Sequence, residues 1–167
     1  MNVEDQLLEF EASSLSEDAL DRLLLLWEQT KTGNQEGAYV KTALLIGKYH
    51  EDAACYDQAI VILKQALASG IINDPKFVIQ VTDRLVSILL KLEDFPELKQ
   101  VLDFRGDYLE ESRQARLMQK FYLAVCYEGM RENQRAITCL TEIEDTLSNS
   151  NLVSKYQIGR ASCRERV

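Results

Sequence analysis

Histidine, proline, paired cysteines and positive charge are all scarce in this 167-residue chain, and each scarcity excludes something. His50 is the only histidine, and Cys55, Cys126, Cys139 and Cys163 include no Cys-x-x-Cys pair, so neither a zinc-ligand spacing nor a redox motif is present. The four thiols read as reduced, buried or partly exposed side chains. Basic residues number 19 against 27 acidic ones, a net charge of -8 and the wrong sign for a protein that draws its affinity from nucleic-acid phosphates. The longest apolar run, Phe121 to Tyr127, falls far short of the roughly 20 residues that cross a bilayer. Met1 to Asp5 carries acids where a secretory signal would place basic and then apolar residues. The expected address is the cytosol, with no nucleic-acid and no membrane partner.

Catalytic constellations are missing as well. Gly47-Lys48 is followed by Tyr49, and Thr42 stands where a phosphate loop needs its first glycine. No nucleophile elbow and no His-Glu-x-x-His pattern occurs. Alone on a helical pattern, His50 reads as a packed structural side chain rather than a base. Asp107, Glu110 and Glu111 read as an acidic helix N-terminus, and Glu142, Glu144 and Asp145 as a solvated helix face. Of Phe121, Tyr122 and Tyr127, two are expected to be packed. Neither an enzyme nor a cofactor is expected.

What remains, with 46% apolar and 28% charged residues, is helix. Only Pro75 and Pro96 interrupt the chain, and apolar residues recur at helical spacing almost throughout, with no strand-length alternation. A short helix is expected near 3 to 10. Ser14-Leu15-Ser16-Glu17 supplies a capping box for a helix to about Lys31, with Leu20, Leu23, Leu24 and Trp27 on one face. Thr32-Gly33-Asn34 breaks it, and further helices are expected at about 35 to 51, 55 to 69, 75 to 92, 95 to 104, 107 to 129, 133 to 147 and from 151. Asp74-Pro75 is a strong start signal, while Gly70 and Gly129 stand where a left-handed cap is wanted.

Three of these helix pairs align with one another. A large aliphatic followed by a smaller residue recurs as Ile46-Gly47, Leu85-Val86 and Leu123-Ala124. Thirteen residues after the aliphatic come Ala59, Leu98 and Ala136, then four later Leu63, Leu102 and Leu140. The period is 98 minus 59, or 39, and then 136 minus 98, or 38. Over residues 40 to 147 this pattern resembles the tetratricopeptide repeat family: Tyr56-Asp57-Gln58-Ala59-Ile60 looks like the start of that family's second helix, and Leu123-Ala124-Val125-Cys126-Tyr127 like its first. Two features depart from the family: its period is about 34 residues, and Leu98 stands where a small residue is usual.

The resemblance implies an all-α fold, an α-solenoid of stacked antiparallel helix pairs, right-handed, with residues 1-34 as N-terminal helices and 35-157 as the array. It also implies a function: a scaffold that binds a protein or peptide along a concave face built from the first helix of each pair. The inward positions are then Lys41, Leu44 and Lys48; Gln80, Asp83, Arg84, Ser87 and Lys91; and Met118, Phe121, Tyr122 and Val125. Lys41, Lys48, Arg84 and Lys91 form a basic strip suited to an acidic peptide, and Phe121 with Val125 a pocket for an apolar side chain. The clamp by which some family members hold the carboxylate terminus of heat-shock chaperones is not matched, since Leu44, Lys48, Met118 and Tyr122 occupy its places. Two other readings are a peptide-sensing regulator and the repeat part of a longer enzyme.

The segment Ile158-Gly159-Arg160-Ala161-Ser162-Cys163-Arg164-Glu165-Arg166-Val167 is the translation of ATC GGA AGA GCG TCG TGT AGG GAA AGA GTG, which resembles a common sequencing adapter. Its three arginines and one glutamate carry +2, leaving residues 1 to 157 at -8 minus 2, or -10. Residues 158-167 are therefore expected to be a non-native tail, with the array continuing past Gln157. An array ending near Tyr156 leaves the flank of Leu140, Ile143, Leu147, Leu152 and Val153 without a neighbour, and self-association is expected from it.

Overall fold

A computed structural model describes residues 7, 10, 17-33, 35-109 and 112-148. Every regular element among them is an α-helix. The bounded helices are α1 (Glu17–Thr32), α2 (Glu36–Asp52), α3 (Tyr56–Ala68), α4 (Pro75–Leu92), α5 (Phe95–Gly106), α6 (Arg113–Gly129) and α7 (Asn133–Ser148). Leu7 and Phe10 are also helical and buried. The capping box at Ser14 to Ser16, the helix from 151 and the tail from Ile158 lie outside the described residues. The packing divides into two compact units, Met1–Leu109 and Glu110–Val167.

Local chemistry sets most of the helix ends. Asp74 accepts from the Lys76 amide at 2.9 Å with Pro75 in the first turn of α4, and Asp94 accepts from Glu97 N at 3.2 Å ahead of α5. At Ser69 the hydroxyl donates back to Ala66 O, and Gly70 follows at φ +71°. The helix expected at 107 begins instead at Arg113, after Ser112 caps it. Asp107 ends α5, so its carboxylate follows a helix C-terminus and is not the acidic N-terminal residue expected.

The 39- and 38-residue period reappears in the backbone. Ala54, Glu93 and Arg131, at 39 and then 38 residues' spacing, are the positive-φ non-glycine residues, with φ between 55° and 63°. Each follows the first helix of a pair, and the next amide bonds five residues back: Cys55 N to His50 O, Asp94 N to Leu89 O, Glu132 N to Tyr127 O, at 2.7, 3.1 and 2.7 Å. That is a Schellman turn in each pair, normally closed by glycine. Gly129, expected in that role, is the last residue of α6, and Arg131 takes the left-handed conformation instead. The excess over a 34-residue period lies partly in long first helices, of 17, 18 and 17 residues for α2, α4 and α6.

In the first unit each helix packs on the next, α1 on α2 through to α4 on α5, and α2 also packs on α4. Trp27 stacks on Tyr39 with ring centroids 5.7 Å apart. Leu63 lies over Gly47, where an added Cβ would sit 3.3 Å from its Cδ2, so the small residue sets how closely α2 and α3 approach. Leu23 and Trp27 of the expected α1 face are buried, Leu20 and Leu24 half-buried. Thr30, Thr42 and Thr82 are buried with their hydroxyls donating to carbonyls three or four residues earlier, so burial leaves no donor unpaired there.

In the second unit α6 and α7 are antiparallel: Arg113, at the start of α6, donates to Thr146 O near the end of α7, and Arg135 lies over the Tyr127 ring at the other end. Ala124, Cys126 and Ala136 are buried between them, and Lys120 pairs with Glu142 at 2.6 Å.

Candidate functional site

The candidate surface is the side-by-side pair of first helices, α2 and α4. Glu36 Oε1 accepts from the backbone amides of Asn73 and Asp74, at 2.8 and 2.7 Å, and a Cβ on Gly37 would meet Phe77 Cζ at 3.2 Å. Those contacts join the two N-terminal ends. Glu51 near the end of α2 pairs with Arg84 and Lys91 on α4. The helices therefore run parallel, one repeat apart, as first helices of successive pairs do in a stack.

Between these tie points lie six of the nominated residues, Lys41, Leu44 and Lys48 on α2 and Arg84, Ser87 and Lys91 on α4. Lys48, Ser87 and Lys91 are exposed; Lys41, Leu44 and Arg84 are half-buried. The basic strip is not four free cations. Glu51, whose side chain is only 8% exposed, accepts a hydrogen bond from Lys91 Nζ and lies 2.7 Å from Arg84 Nη2. The Arg84 contact is an ion pair of poor angle: neither Glu51 Oε2 nor Arg84 Nε completes an aligned hydrogen bond, although both are buried. The strip thus holds one carboxylate already and keeps one buried guanidinium donor unused. Sequence reasoning did not single out Glu51. Its signal was available, for it follows Lys48 by three residues on the same face.

Of the remaining inward positions on α4, Gln80 is exposed, while Asp83 accepts from Arg105 Nε and Nη2 at 3.0 and 2.7 Å. Arg105 is buried, so this pair anchors α5 to α4 and takes Asp83 out of a simple groove role. Met118, Phe121, Tyr122 and Val125 lie on α6 in the second unit. Phe121 is exposed, Tyr122, Val125 and Tyr127 half-buried, and the Phe121 and Tyr122 rings are 6.1 Å apart.

His50 is half-buried with its ring edge-on to Tyr49 at 5.5 Å, and burial holds its imidazole below the ordinary 6.5. Among the described residues no group of three or more His, Cys, Asp or Glu side chains is placed to hold a metal ion, and no helix is long and apolar enough to cross a membrane. A cavity of about 330 Å³ opens between α3, α4 and α5, lined by Lys64, Leu67, Leu85, Glu97, Val101 and Phe104, and another of about 370 Å³ surrounds Cys55. Neither is lined by a groove residue; the candidate surface is an open face. Searched against family models, curated proteins and solved structures, the chain matches none of them.

Proposed function

We propose that this chain is a protein-interaction scaffold, built as a tetratricopeptide-like, right-handed α-solenoid of helix pairs, which binds a peptide or partner segment along its first helices. What carries the reading is the parallel, one-repeat-apart placement of α2 and α4, tied at both ends and leaving a basic strip with Leu44 at its centre. Support also comes from α1. The helices α1, α3, α5 and α7 begin at Glu17, Tyr56, Phe95 and Asn133, spaced by 39, 39 and 38 residues, so α1 stands as the second helix of an earlier pair.

The ligand proposed is an acidic peptide in extended form, its carboxylates meeting Lys48 and the unused Arg84 Nε and its apolar side chains resting on Leu44. The reading involves no catalytic step and no cofactor, and places the chain in the cytosol. The test is selection of a random linear-peptide library on the full chain, followed by affinity measurement on Lys48→Glu with Arg84→Glu. An acidic motif should emerge whose binding falls about tenfold or more in the double variant. No enriched motif, or one indifferent to the double variant, sinks the groove.

A further inference from the structure

The third pair repeats the register of the earlier ones but exposes what they bury. The left-handed residues fix that register, since 131 minus 54 is 77 and 131 minus 93 is 38. Leu140 therefore corresponds to Leu63 and Leu102, which are fully buried, yet Leu140 is 47% exposed. The same offset of 77 carries Lys41, Leu44, Lys48 and Glu51 on α2 to Met118, Phe121, Val125 and Glu128 on α6. On α2 that stripe is the edge along which α4 lies. On α6 it carries exposed Met118 and Phe121, and Glu128 has no cationic partner among the described residues.

We propose that the flank formed by α6 and α7 is a docking site for an amphipathic helix supplied by a partner protein, lying parallel to α6. The occupant's chemistry is read from α4, which covers the corresponding flank of α2 and α3. It carries aliphatic side chains spaced three and four apart, as Val78, Val81, Leu85 and Ile88 are, and basic residues in its C-terminal half to meet Glu128 as Arg84 and Lys91 meet Glu51. A helix satisfies both halves of the flank at once, because its ridge fits between Phe121 on α6 and Leu140 on α7; an extended strand reaches only one. The site shares Phe121 and Val125 with the groove expected from the sequence, but it stands on the third pair alone and does not need peptide binding at α2 and α4.

The test titrates the full chain into a fluorescein-labelled peptide of residues 75-92, read by fluorescence anisotropy. Saturable binding is expected, falling about tenfold with Leu140→Glu or Phe121→Glu and less with Glu128→Lys. A peptide with its Arg84 and Lys91 both changed to Glu should prefer the Glu128→Lys chain over the parent, a charge swap that misfolding does not mimic. Lys48→Glu with Arg84→Glu in the chain, which tests the groove, should leave peptide binding unchanged. No saturation below about 1 mM, or binding indifferent to Leu140→Glu and Phe121→Glu, overturns the proposal. So does a dimer that Leu140→Glu dissociates and the peptide does not, which would name a second copy as the occupant.

Discussion

Leucine to alanine at three equivalent positions separates register from burial. Leu63, Leu102 and Leu140 share sequence spacing and chemistry, so a pattern-only account predicts equal costs for the three substitutions. The structure predicts unequal ones. Leu63 is fully buried, with Cδ2, Cγ and Cδ1 within 3.3 to 3.6 Å of the place a Cβ on Gly47 would occupy. Glycine has no side chain to move into the vacated space, so the cavity term adds to the transfer term and Leu63→Ala should cost about 3 to 5 kcal/mol. Leu102 is equally buried and should fall in the same range. Leu140 is about half exposed, loses only part of its transfer energy and leaves no closed cavity; its cost should be about 1 kcal/mol. Urea unfolding followed by far-UV circular dichroism measures all three. Trp27, the only tryptophan, reports the first unit separately by fluorescence. With a urea dependence of about 2 kcal/mol per molar, Leu63→Ala should lower the midpoint of that unit by about 2 M. A Leu140→Ala cost equal to that of Leu63→Ala would refute the reasoning, because the flank would then be filled.

Three further outcomes are expected. Replacing Ala54, Glu93 or Arg131 by Gly should each stabilise by about 0.5 to 1 kcal/mol in thermal or urea melts, because glycine takes positive φ without strain, whereas Gly70→Ala, at φ +71°, should destabilise by a similar amount. His50 is held below 6.5 by burial, so the unfolded chain takes up the proton first: its stabilising contribution is complete above 6.5 and is lost as pH falls through the folded value. Urea midpoints of His50→Gln should accordingly depend less on pH between about 7 and 5 than those of the parent. Site-resolved mass spectrometry during iodoacetamide labelling should find Cys55 modified first, Cys139 later and Cys126 last. Cys55 is exposed, Cys126 is buried, and burial together with the nearby Glu142 carboxylate pushes the Cys139 thiol up.

The sequence by itself determined the helical class, most helix ends and the period, because these depend on short-range physics. Apolar spacing of three and four residues marks a buried helix face, and Asp74-Pro75 satisfies orphan amides without regard to the rest of the chain. Such a residue pair is legible wherever it falls. The Ile46-Gly47 step announced a close helix crossing for the same reason, and Leu63 lies over Gly47 as that spacing implies.

The start of α6 and the closure of the turns escaped sequence reasoning. Leu109 to Ser112 are compatible with helix locally, and Ser112 was one cap among several competing signals. Arg131, rather than Gly129, closes its turn because tertiary packing of the pair holds the backbone at a conformation its own residue disfavours. The site divides in the same way. Periodicity put Lys41, Leu44 and Lys48 on one face of α2, and Arg84, Ser87 and Lys91 on one face of α4. Only the tertiary structure decided that these faces lie side by side and that Glu51 neutralises part of the strip, because an ion pair spanning 33 or 40 residues depends on which helices meet. It also decided that Leu140 is open where Leu63 and Leu102 are buried: equivalent positions in a repeat carry the same pattern, but burial depends on whether a neighbour lies against them.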